Sequence, residues 1–186
     1  MLRASCKGRL LVAAPALTDP NFDRTVVLVL EHGPEGALGL VLNRPTGADL
    51  DDALPDWAPL AADPTVVFVG GPVAPDAVIA LARAHVGSEE PEGFTPVLDD
   101  LGSVDLGKDP FDLGIPIDVV RVFAGYAGWG RGQLDAEVDE GGWFVVDAAP
   151  DDVFSVTPDD LWRHVLRRQR GRAALFAHAP LDPTAN

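Results

Sequence analysis

The sequence predicts one domain of mixed strand and helix, and three observations carry that expectation. Short apolar runs rich in β-branched residues recur along the chain, each closed by glycine, proline, asparagine or aspartate. Helical spacing is confined to a few stretches, the most strongly signalled beginning at Thr157. With 186 residues, 47% of them hydrophobic, the chain can bury one full core, so a single domain over 1–186 is expected.

Gly8 to Ala14, GRLLVAA, is stopped by Pro15 and reads as a buried strand. TDPNFD at 18–23 is a turn, after which Arg24 to Glu31, RTVVLVLE, is a second strand. HGPEG at 32–36 turns the chain into a third, Ala37 to Asn43, and so short a connection predicts an antiparallel hairpin. Pro45 lacks an N–H and pushes Arg44 into extended backbone, which ends the ladder and displays Asn43 and Arg44 at the strand's mouth. There they either serve function or satisfy loop backbone.

Asp49 to Leu54 fits one or two helical turns, capped by Asp49 and stopped by Pro55. Thr65 to Val69 is another strand. Gly70-Gly71-Pro72-Val73 then swings the chain into AVIALARA, read as a helix that starts at Pro75-Asp76, runs to about His85 and stops at Gly87. From 88 to 116 acidic, glycine and proline residues surround two apolar pieces, Phe94 to Leu98 and Leu101 to Leu106. This irregular excursion fits two short strands or an irregular hairpin, packed on the same core.

Ile117 to Phe123 is a strand that carries Arg121, whose guanidinium must face solvent or find a buried partner. It enters the stretch Arg121 to Trp143, RVFAGYAGWGRGQLDAEVDEGGW, where Gly125, Gly128, Gly130 and Gly132 interleave with Tyr126 and Trp129. The expectation is a tight glycine-aromatic corner, then a short helix with Glu137, Asp139 and Glu140 on its solvated face. Trp143 leads into a further strand, FVVDAAP. Thr157-Pro158-Asp159-Asp160 has a capping hydroxyl, an early proline and two acids for a helix start, and Leu161, Trp162, Val165 and Leu166 form its apolar stripe. Residues 178–186 read as a frayed tail.

Composition restricts function more than it defines it. The net charge is −15 and the pI near 4.4, a field that repels nucleic-acid backbones and anionic membranes. The one local reversal is Arg163 to Arg172, with five of the 14 basic residues, where Arg163, Arg167 and Arg170 share a helix face. Cations near a helix C-terminus are also ordinary dipole partners. The lone Cys6 fits a reducing compartment, so a cytoplasmic location is expected. The opening MLRASCKGRLLVAAPAL has the basic-then-apolar order of a signal peptide, but its apolar run is short and interrupted by Pro15. No later run approaches the ~20 residues of a membrane span.

The glycines fit neither G-x-x-x-x-G-K-[ST] nor G-x-G-x-x-G. His32, His85, His164 and His178 are scattered without HExxH spacing, so no metal site is expected, and no serine sits in G-x-S-x-G. No cofactor is expected either.

Four segments, GRLLVAAPALTDPNFDRTVVLV at 8–29, GALGLVLNRP at 36–45, VGGPV at 69–73 and the stretch 121–143, occur in an order that resembles the AlgH/YqgE-like family of bacterial proteins. The chain departs at Arg131, where proline is typical, and at Asp135, where glutamate is usual. The resemblance implies an α+β fold: a bifurcated, mainly antiparallel β structure with a small barrel, surrounded by helices. Members carry the label of transcriptional regulators, without a firmly assigned reaction. Family-pattern positions for a shared polar or aromatic surface are Asn43, Arg44, Arg121, Tyr126, Trp129, Gln133 and Glu137.

The leading expectation is a non-enzymatic binding or regulatory domain of unknown ligand, acting in transcription through a protein partner. The alternative is a small-molecule enzyme with a polar pocket lined by Asn43, Arg44, Arg121 and Gln133. The third is direct DNA binding through Arg163, Arg167 and Arg170, which works against the acidic field.

Overall fold

The computed structural model describes residues 4–85 and 91–178. The elements in chain order are β1 (Arg9–Ala13), β2 (Val26–Gly33), β3 (Gly36–Val41), β4 (Pro45–Asp49), α1 (Leu50–Ala53), β5 (Val66–Val69), β6 (Val73–Ala84), β7 (Phe94–Leu98) and β8 (Leu101–Val104). They continue with β9 (Ile117–Gly130), α2 (Gln133–Asp139), β10 (Trp143–Asp147), α3 (Leu161–Arg167) and α4 (Arg172–Phe176). The sheet runs β10-β1-β2-β3-β9-β6-β8-β7, with β5 joined to β9 in parallel and β4 paired to β5. All other neighbours are antiparallel, and the sheet curls into a half-barrel. The α+β class and the branched β structure are therefore those the resemblance implies.

Period-two alternation builds the layers. On β1, Leu10 and Val12 face a core shared with Leu161, Trp162, Val165 and Leu166 of α3. Leu11 and Ala13 face a second core with Trp129, Leu134 and Trp143 beneath α2. A third cluster joins Leu50 and Trp57 to Ala80, Ala82, Phe94, Val120 and Val122. β1, β2 and β3, the β7–β8 hairpin, β9 and β10 occupy the predicted strand segments. The one-turn α1 carries the predicted cap, Asp49 Oδ1 accepting from the Asp51 amide at 2.9 Å.

Four expectations need correction. AVIALARA is not a helix but the second half of β6, held between β8 and β9. Its alanines are good helix formers, but burial on both faces hides the strand period: Leu81 enters one core while Ala80 and Ala82 enter another. The predicted end at Gly87 lies outside the described residues, as do 179–186 of the tail.

The glycine-aromatic corner is also absent as such, because β9 runs straight through to Gly130 and the turn falls at Arg131-Gly132. Gly125, at φ +73°, is instead the branch of the sheet. A Cβ there would lie 2.5 Å from the Gly71 carbonyl oxygen, and one on Gly70 would lie 2.3 Å from that of Gly125. This close approach lets Gly70 bridge two strands, donating to the Ala124 carbonyl and accepting from the Val41 amide, each at 2.8 Å. Before the branch β9 pairs with β6 and β5, and beyond it Ala127 to Gly130 pair with β3.

Thr157 makes no side-chain cap; a 3₁₀ turn, Pro158–Asp160, leads into α3 in its place. Glu137 is not on a purely solvated face, as the next section describes. Among the described residues no helix is long and apolar enough to cross a membrane.

Candidate functional site

Arg121 is 2% exposed in the centre of β9. Its Nη1 donates to the carbonyls of Val153 and Ser155 at 3.0 and 2.8 Å, its Nη2 to that of Asp63 at 2.5 Å, and the guanidinium lies 4.3 Å from the Phe68 ring centroid. Desolvation by burial pushes it down to about 10, against a smaller raising effect from Asp63. The buried partner that the sequence demanded is thus a set of backbone carbonyls and an aromatic face. Arg121 ties the loop before β5 and the 153–155 segment to the sheet, and it faces no cavity.

Glu137 projects from α2 between two indoles. Its Oε2 accepts from Trp129 Nε1 and Trp143 Nε1, each at 2.9 Å, and its Oε1 accepts from Gln133 Nε2 at 2.9 Å. Gln133 Oε1 in turn accepts from the Gly130 amide at 3.0 Å, closing the turn that starts α2. Phe22 completes an aromatic triangle, 6.1 Å from Trp129 and 5.6 Å from Trp143 between ring centroids, while the two indoles stand 6.1 Å apart edge to face. One carboxylate therefore holds two indoles, and Phe22, from the far end of the chain, packs on both. Tyr126, half-buried, packs instead on the core shared with α3, because the branch at Gly125 shifts the face that β9 presents.

Asn43 and Arg44 form a different kind of place. The Asn43 carboxamide is buried and spent on backbone: Oδ1 accepts from the Val26 amide and Nδ2 donates to the Arg24 carbonyl, each at 2.9 Å. It fixes the mouth of the β2–β3 hairpin. Arg44 Nη2 donates to the Asp23 carbonyl and Nη1 to that of Asn43 at 3.5 Å, and the residue lines two cavities, one of about 400 Å³ and one of about 270 Å³. The larger is walled by Asp23, Arg24, Asp159, Asp160, Trp162 and Arg163 with Asn43 and Arg44, so three carboxylates face three guanidiniums. Arg24, held at φ +53°, lies 5.5 Å over the Trp162 ring. Trp162 Nε1 donates to the Ala13 carbonyl at 2.8 Å, which anchors the floor. The smaller cavity is more apolar, with Pro20, Val41, Pro45, Val69 and Pro72.

The polar pocket of Asn43, Arg44, Arg121 and Gln133 therefore does not form. Arg121 and Gln133 line neither cavity; both Nη atoms of Arg121 are committed to carbonyls, and Gln133 is committed to an amide and Glu137. Two arginines of the basic run also serve structure or cavity. Arg168 grips Asp152 through both guanidinium nitrogens, a hydrogen bond that raises its pKa, and Arg163 lines the larger cavity. Sequence reasoning missed Arg24, Asp159, Asp160 and Trp162 as cavity residues. Asp159 and Asp160 read as helix-start acids and Trp162 as core stripe, while nothing local distinguishes Arg24.

His32 and Cys6 also meet. His32 Nδ1 accepts the Cys6 amide at 3.0 Å, and its Nε2 stands 3.9 Å from Asp135 Oδ1. With Nδ1 occupied by a backbone N–H, the imidazole acts as a tether for the segment before β1 rather than as a base for the thiol. Among the described residues no group of three His, Cys, Asp or Glu side chains is placed to hold a metal ion.

Comparisons with known proteins agree on the lineage. The AlgH-like family matches residues 10–174. A UPF0301 protein of Streptomyces coelicolor is 52% identical over 98% of this chain and 96% of its own length, and one from Thermobifida fusca is 46% identical over 100% and 98%. The crystal structure of a Corynebacterium diphtheriae protein superposes with a TM-score of 0.87 at 31% identity, covering 95% of this chain and 93% of that one. The solution structure of the AlgH protein from Pseudomonas aeruginosa gives 0.65 at 28% identity, covering 98% and 100%. With the branched sheet and the four motif segments in place, this chain belongs to the AlgH-like family.

Proposed function

We propose that this protein is a non-enzymatic binding domain whose ligand is a small polar molecule bearing both a positive and a negative group. The observation that carries the reading is the placement of Arg44 between two cavities, the larger lined by balanced charges above an anchored tryptophan. Its volume of about 400 Å³ suits a small molecule, and its rigid frame, with Asn43 locked to backbone, favours recognition over proton transfer. The output of binding is read by a protein partner in transcriptional regulation, within the cytoplasm, where a single reduced cysteine is at home.

A thermal-shift screen of amino acids, betaines and other small zwitterions tests the proposal. A saturable rise in Tm is expected for the parent, lost in Arg44→Ala and weakened in Asp160→Asn. A ligand whose stabilisation survives Arg44→Ala, or the absence of any saturable ligand across these classes, overturns it.

A further inference from the structure

A groove of about 500 Å³ lies apart from the Arg44 cavities. It is lined by Trp143, Phe144, Val145 and Val146, by Val138 of α2 and by Ala173 of α4. Adjacent residues of a strand point to opposite faces, and here Trp143 and Val145 belong to the α2 side while Phe144 and Val146 belong to the α3–α4 side. A single groove touched by both sets lies along the strand's edge rather than over either face. Among the described residues β10 is the end of the sheet path, paired with β1 alone.

The hydrogen-bond phase identifies the groups on that edge. The Ala14 amide donates to the Gly142 carbonyl at 2.9 Å, and the register pairs Val12 with Phe144 and Leu10 with Val146. By antiparallel alternation, Phe144 and Val146 exchange bonds with β1, while the backbone groups of Trp143, Val145 and Asp147 point away from it into the groove. The Asp147 carbonyl accepts there from Arg168 Nη2 at 3.2 Å, which agrees with this phase.

The charge of the groove selects the occupant. Arg9 and Arg170 line it beside one carboxylate, Asp135, so basic side chains outnumber acidic ones in a chain whose net charge is −15, and the basic run from Arg163 to Arg172 borders it. Arg9 bonds Asp147 at 3.0 Å through Nη2, but its Nε is shielded from solvent and has no acceptor.

We propose that the open edge of β10 is a strand-addition site for an extended, acidic peptide segment of a partner protein. The segment pairs with Trp143 and Val145, sets apolar side chains against α2 on one side and α4 on the other, and presents carboxylates to Arg9 and Arg170.

The test uses fluorescein-labelled hexapeptides of alternating valine and threonine carrying two aspartates at either end, with amide hydrogen exchange as the second readout. In the free protein the Val145 amide exchanges quickly and those of Phe144 and Val146 slowly; saturating peptide slows Val145. Val145→Pro removes only an outward N–H, a substitution that edge strands tolerate, and lowers affinity by about tenfold or more. Circular dichroism establishes that this variant folds. Arg170→Ala lowers affinity a few-fold and flattens its salt dependence. Slow exchange at Val145 without peptide, binding unchanged in Val145→Pro, no saturable binding by any peptide of the panel, or a parent dimer that Val145→Pro dissociates would each overturn the proposal.

Discussion

Glu137 and Arg44 are both charged, both belong to the one surface that the sequence predicts, and both sit beside strand ends rich in glycine or proline. The fold treats them in opposite ways. Around Glu137 the donors and acceptors cancel: two indole N–H groups and an amide N–H meet one carboxylate, and three rings seal the assembly. Around Arg44 only part of the guanidinium is used, and cavities open on both sides of it. A satisfied polar group buried among aromatics stabilises a fold, whereas one facing a cavity retains capacity for a ligand. Residue type does not separate these cases, but the count of partners already engaged does.

That contrast predicts a graded series of effects. The largest belongs to the branch that separates the two regions. Gly125→Ala combines a positive φ with backbone overlap and should cost more than ~3 kcal/mol, read as loss of the cooperative urea transition or a steep fall in its midpoint. Unchanged stability would mean that the strands do not approach as described.

Arg121→Met comes next. It leaves the Asp63, Val153 and Ser155 carbonyls without their donor, and a loss of ~3 kcal/mol is expected from the same melts. Its pH signature is specific. Because the folded guanidinium titrates at about 10, below arginine's ordinary range, the folded state holds fewer protons than the unfolded chain above that pH. The cost of burying the charge is fully present below pH 10 and is relieved above it. The stability of the parent relative to Arg121→Met should therefore rise as the pH climbs above about 10; a fall would reverse the assigned burial.

Glu137→Gln retains one acceptor oxygen where two indoles and Gln133 now share a carboxylate, so ~1–2 kcal/mol is expected, together with a change in tryptophan fluorescence. Arg44→Ala should cost less than ~1 kcal/mol while abolishing ligand stabilisation. Equal destabilisation by Glu137→Gln and Arg44→Ala would erase the distinction between the closed and open regions.

Strands with a clear period and clear stops were legible, as in RTVVLVLE and the hairpin that follows it, because turn chemistry and β-branching act locally. β6 was not, since buried on both faces it loses the alternation that marks a strand, and its alanines then read as helix. At the candidate site, Asn43 and Arg44 were legible from the proline that stops their strand. The other cavity walls were not, because Asp159 and Trp162 lie more than a hundred residues away and carry adequate local explanations as helix start and core.

The sequence by itself determined the family, the strand-rich α+β character, the need of Arg121 for partners and the exclusion of the familiar phosphate-loop and zinc motifs. These follow from composition, spacing and short-range sterics. Tertiary structure alone decided that Gly70 and Gly125 approach closely where the sheet divides, that Glu137 closes on two tryptophans while Arg44 lines two cavities, and that β10 ends the sheet path. Each depends on which distant backbone comes within a few ångströms, and long-range packing sets that distance where local preference cannot.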